Sequence, residues 1–229
     1  MLKIYGVPIS VHTRKVIVVS IIKDLPYEVI PVVPVIPDNS PPNWHELSPS
    51  GTIPALTDGD FTVADSTAIC TYLDHTNKAH PVYPQSAREL AQVLSLEAYA
   101  GERLFCGVVR ELFHEVFVHP KVQGRPTDEA NVERVLTTVL PAVFAHLDRC
   151  AAGEYLVGRT LSVADIAVVS NRLTFDYAGF DLDRQRYPRL AALVDRVLAH
   201  PAFQQALRAE RPVVESMGLR GTVFKELAA

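Results

Sequence analysis

Gly51-Thr52-Ile53-Pro54-Ala55-Leu56-Thr57-Asp58-Gly59-Asp60-Phe61-Thr62-Val63-Ala64-Asp65-Ser66 is the stretch whose reading decides the fold. A loop ends at Pro54. Ala55–Thr57 and Phe61–Ala64 then read as two short strands around an Asp58-Gly59 turn signal. Asp65 or Ser66 caps a helix over 66–76 that buries Ile69, Tyr72 and Leu73. Upstream, seven prolines between positions 31 and 54 forbid a long helix or a central strand. That region is expected to be loop, with a short helix at Trp44–Leu47.

Leu2–Tyr5 reads as a strand closed by Gly6-Val7-Pro8, and Tyr27–Ile30 as another that Pro31 either ends or marks as an edge strand. Residues 11–25 are ambiguous. Val16, Ile17, Val18, Val19, Ile21 and Ile22 are β-branched and favour strand; the length and a cap at Ser10 favour helix. Past position 87 the pattern is helical throughout. Val132, Val135, Leu136, Val139, Val143 and Leu147 share a stripe that Pro141 should kink. Ser162-Val163-Ala164-Asp165 reads as a capping box, and Pro188 and Pro201 stand where helices should start. The order is β-α-β, a proline-rich crossing, β-β-α, then helices. That implies an α/β domain at 1–77, a linker at 78–86 and an all-α helical domain at 87–229, with the cleft between them as the default binding site.

The bulk numbers fit a globular chain of 229 residues, 48% hydrophobic and 21% charged. A net charge of -4 with scattered cations argues against nucleic acid as a partner. The longest apolar run, Val16 to Ile22 broken by Ser20, is too short to span a membrane. Three separated cysteines, Cys70, Cys106 and Cys150, predict neither disulfides nor a zinc site and suit a cytoplasmic location. Cys70 sits on an apolar helix face and reads as packing. Glu111-Leu112-Phe113-His114 has the Glu-x-x-His spacing of di-iron bundles but lacks the second copy such a site needs, so no metal is expected. Gly-x-Ser-x-Gly is absent, which leaves serine hydrolase chemistry unsupported.

Three small groups remain. Ser10 stands four residues before Arg14. Ile53-Pro54 precedes a strand. Asp65-Ser66 opens a helix, where free N–H groups attract a carboxylate, Ser66 can donate to it and Asp65 can take an ammonium. On residues alone each has a plain reading: a cap or solvated hydroxyl, a trans turn, and a cap. Together, Gly6-Val7-Pro8-Ile9-Ser10-Val11-His12-Thr13-Arg14-Lys15-Val16, Thr52-Ile53-Pro54, Asp65-Ser66 and Ser162-Val163-Ala164-Asp165-Ile166 resemble the soluble, Ser-type glutathione transferases.

The resemblance implies a thioredoxin-like first domain followed by an all-α helical bundle, and helix for 11–25. It implies a cis Ile53–Pro54 bond whose backbone pairs with the ligand peptide, and glutathione as co-substrate held by Thr52, Ile53, Pro54, Asp65 and Ser66. Ser10 would stabilise the glutathione thiolate, which would attack a small apolar electrophile; the chain would act in detoxification as a homodimer. Asp165 would be structural. Thr52 replaces a longer side chain common in the family, which weakens that contact. His12 either touches the ligand or simply covers the helix end as a solvated side chain; the second is the reading preferred here. Phe105, Val109, Leu112 and Phe113 could line the electrophile pocket, or be core. The rivals are a glutathione-dependent peroxidase, dehalogenase or isomerase on the same fold, and a non-catalytic binding module.

Overall fold

A computed structural model of the chain describes residues 1–36 and 38–226. Pro37 and the end of the expected helical domain, 227–229, lie outside the described residues. Strand β1 (Leu2–Tyr5), helix α1 (Val11–Ile22) and strand β2 (Tyr27–Ile30) form a parallel βαβ unit. β3 (Ala55–Asp58) joins β1 antiparallel and turns into β4 (Phe61–Ala64), giving the sheet order β2-β1-β3-β4. The short α2 (Trp44–Leu47) seats Trp44 against Val32 and Ala55. α3 (Ser66–Thr76) follows the hairpin.

α1 settles the ambiguity of residues 11–25 as helix, ending at Ile22. It packs against α3 on one side and two helices of the second half on the other, and Val11 and Thr13 to Ser20 are all buried. A helix covered on every side has no polar face to show a period of 3.6. In the hairpin Asp58 pairs with Phe61, so the turn residues are Gly59 and Asp60, one later than the sequence suggests. Gly59 takes the positive φ of +60°, and the Asp58 carboxylate accepts the Tyr72 hydroxyl at 2.9 Å. Tyr72 is therefore half-buried and bonded at its rim, not sunk in the core as expected.

The second half is helical. α4 (Ala87–Tyr99) continues through a wide, π-wound stretch at Ala100–Val109, α5 (Arg110–Phe113) and a second such stretch at His114–Val122. α6 (Glu129–Arg134) continues through π-wound Val135–Val139 into α7 (Leu140–Cys150). The wide winding ends at Pro141, whose missing N–H and ring disfavour ordinary α-winding there. α8 (Val163–Tyr177), α9 (Pro188–Leu198), α10 (Pro201–Ser216) and the short α11 (Val223–Glu226) complete the chain. Asp165 accepts the Ser162 N–H and hydroxyl at 2.9 and 2.7 Å and the Leu156 N–H at 2.8 Å, fixing the start of α8. Burial raises the Cys70 thiol to about 12, so it packs as an apolar side chain. Among the described residues, no helix is long and apolar enough to cross a membrane.

Candidate active site

Sheet register brings the three sequence motifs to one end of the sheet. Tyr5, Ala55 and Ala64 form a single cross-strand row. The chain leaves β1 after Tyr5 toward Ser10, enters β3 at Ala55 from Ile53-Pro54, and leaves β4 after Ala64 into Asp65-Ser66. A cleft of about 120 Å³ opens beside this end of the sheet, lined by Val11, His12, Lys15, Asp65, Ser66 and Thr67, and by Glu97, Ala98, Gly101, Ala167 and Asn171 of the helical half.

Ser10 is the N-cap of α1. Its oxygen accepts the Thr13 N–H at 3.4 Å, and among the described residues no acceptor takes its proton. The hydroxyl therefore has a donor free at the positive end of a 12-residue helix. Ile53–Pro54 is cis. Thr52 is exposed; its hydroxyl pairs with that of Ser50 at 2.7 Å, and its carbonyl accepts from Ser48 at 2.6 Å. Asp65 caps α3 by accepting the Thr67 and Ala68 N–H groups at 2.8 and 3.0 Å. It does so at φ +78°, a conformation that a side chain strains and that clusters at functional sites. Ser66 is buried, with its hydroxyl 3.4 Å from His12 Nδ1.

His12 departs from the solvated reading. It is half-buried on the cleft wall, edge-to-face with Phe105 at 4.5 Å between centroids. Burial, aided by Lys15 and opposed by Asp65, pushes its imidazole down to about 4, so the ring is neutral near pH 7. Of the residues offered as electrophile-pocket lining or core, Val109 and Leu112 are fully buried within the core cluster. Their helix faces turn inward because the long helix packs on α8. Phe105 stands against His12, and the half-buried Phe113 lies against Phe117, the rings tilted by 31° with centroids 5.2 Å apart.

Residues 4–81 match the family model for the glutathione S-transferase N-terminal domain, and 111–210 that for the C-terminal domain. A probable maleylacetoacetate isomerase of Vibrio cholerae is 33% identical over 172 residues, 74% of this chain and 77% of that protein. This chain belongs to the glutathione S-transferase family. A wheat (Triticum aestivum) glutathione S-transferase is 28% identical over 91% of this chain and 94% of its own length. The solved apo structure of a glutathione S-transferase III matches with 27% identity and a TM-score of 0.76, over 91% of this chain and 96% of that one.

Around this cleft lie residues to which the sequence reading gave no partner in the fold. Arg14 is fully buried and forms a two-pronged pair with Glu210 at 2.8 and 2.5 Å. Lys15, equally buried, pairs with Glu97 at 2.6 Å. The signal was present: α1 contains two adjacent cations and no acid, so buried charges there must find partners elsewhere in the fold. On α5 and beyond, Glu111 pairs with Arg110, while Glu115 accepts from His119, the Asp128 N–H and Asn131 and fastens the following turn.

Proposed function

We propose that this chain is a glutathione transferase in which Ser10 activates the thiol. The supporting observation is the register row Tyr5–Ala55–Ala64, which sets the segments that lead to Ser10, from cis Ile53–Pro54 and into Asp65-Ser66 at one end of the sheet, beside a cleft lined by His12, Asp65 and Ser66. In this reading the γ-glutamyl carboxylate meets the Ser66 hydroxyl and the α3 N-terminus, and its ammonium meets Asp65. The peptide backbone runs past Ile53 and Thr52, and His12 adds a neutral contact beside Ser66. The sulfur lies at Ser10. Its proton leaves, and the thiolate is held by the free hydroxyl and the helix dipole. Lowering a thiol from ~8.5–9 to ~6.5–7 requires about 3 kcal/mol, within the range of a few oriented donors. The thiolate then forms a C–S bond to an electrophilic carbon and either expels that carbon's leaving group with its bonding pair or, at an activated double bond, drives the π pair onto the electron-withdrawing group, which takes a proton from water; Phe105 and Phe113 offer the apolar contacts. A cytoplasmic homodimer is the assembly that fits the family.

Calorimetry with glutathione, followed by turnover on a panel of apolar electrophiles, tests this. Micromolar to millimolar affinity and glutathione-dependent product are expected; no binding overturns the reading. The relative named a probable isomerase favours a second reading. There the thiolate adds to a cis-configured unsaturated diacid and is expelled after rotation, so glutathione is not consumed. Recovery of all the glutathione after turnover distinguishes that chemistry from conjugation.

A further inference from the structure

Two consecutive residues of α1 tie the segments beside Ser10 and Ser66 to different helices. Arg14 turns toward α8 and α10. Besides Glu210, its Nη1 donates to the Ser170 carbonyl at 2.6 Å and to Thr174 Oγ1 at 3.3 Å. Its Nη2 donates to the Ile9 carbonyl at 3.1 Å, and the Thr174 hydroxyl contacts the same carbonyl at 3.3 Å. Ile9 is the residue before Ser10, so this clamp holds the hydroxyl's own peptide unit. Lys15, about 100° further round the helix, turns toward α3 and α4. Its Nζ lies 2.6 Å from Glu97 Oε1 and 3.2 Å from Thr67 Oγ1. Thr67 donates to Glu97 at 2.9 Å, and the Tyr83 hydroxyl donates to both Glu97 oxygens, at 3.3 and 3.1 Å. Thr67 is the residue after Ser66, so this clamp holds the head-group end. All four charged side chains are buried.

We propose that Thr174 is a positioning residue for the Ser10 hydroxyl and Tyr83 a positioning residue for Ser66, so that separate elements of the helical half and its linker set thiol activation and tripeptide binding independently. The proposal rests on the reading of the cleft as a glutathione site. Neither residue lines the cleft, and each is a neutral side chain of its clamp, so its removal loosens the clamp without deleting a charge. A small displacement of an activating group reduces rate more than binding, because the thiolate forms only when the geometry is met.

The test measures two quantities on full-length variants: the dissociation constant for glutathione, and the pH midpoint of the bound thiolate's ultraviolet absorbance. In Thr174→Val the midpoint should rise by about half to one unit, while affinity stays within about twofold. Thr174→Ser, which keeps the hydroxyl, should restore the wild-type midpoint. In Tyr83→Phe affinity should fall about three- to tenfold with the midpoint unmoved. If either variant fails to fold, Thr174→Ala or Tyr83→Leu removes the same hydroxyl. Both quantities moving together in both variants, or neither moving, overturns the division of labour. Wild-type protein that binds no glutathione would instead overturn the site.

Discussion

Asp65 caps α3 and, in the proposed reading, meets the ligand's ammonium, and one substitution can separate the two. Its carboxylate caps α3, and its φ of +78° is one that glycine adopts freely. Asp65→Gly should therefore leave stability within about 1 kcal/mol, since lost capping and relieved strain oppose each other. It should still weaken glutathione binding about tenfold through the lost partner for the ammonium. Asp65→Asn keeps the cap and should show the same loss of affinity. If both variants bind glutathione normally, Asp65 is a cap and nothing more. His12 gives the cleft a pH dependence. Its folded value, about 4, lies below the unfolded 6.5. Protons therefore bind the unfolded chain more readily, and stability present above pH 6.5 is lost as pH falls toward 4. Denaturant titrations should show wild type losing about 2 kcal/mol more than His12→Asn between pH 6.5 and 5. Equal losses would mean the ring is solvated after all.

At the scale of elements, the β1–α1 connection depends on a close approach. A Cβ on Gly6 would stand 2.4 Å from Thr13 Oγ1, and Thr13 is fully buried. Gly6→Ala should cost about 2–3 kcal/mol by chemical denaturation. Adding Thr13→Ala should recover part of that cost, because the two residues share one space; simple additivity would refute the clash. The neighbouring elements show what a sequence can disclose. The hairpin, α3 and α8 were legible because turn glycines and capping side chains act within a few residues of where they stand. α1 was not, because its partners in α3, α8 and α10 bury every face and erase its periodicity. Ser10 and Asp65 could be read as caps because a cap acts on N–H groups two or three residues away; the resemblance, rather than the residues alone, marked them and Ser66 as candidate site residues. The partners of Arg14 and Lys15 could not be found, since Glu210 and Glu97 lie 196 and 82 residues away.

Across the whole molecule, α1 is the shared wall of both halves, and its buried ion pairs decide how firmly they join. Glu210→Leu should cost about 3–5 kcal/mol, because it strands the Arg14 charge away from water. Arg14→Met with Glu210→Leu should recover much of that stability in thermal melts. A double variant as unstable as the single one would show that the guanidinium's bonds to Ile9 and Ser170, rather than its charge pair, hold the halves together. The joined halves exist, in this account, to keep one hydroxyl at a fixed place beside sulfur. The pH titration of thiolate absorbance in the glutathione complex tests this most directly, comparing wild type with Ser10→Ala. The account predicts a wild-type midpoint near 6.5–7 and a return to about 8.5–9 in the variant; a midpoint that stays low without the hydroxyl would contradict it.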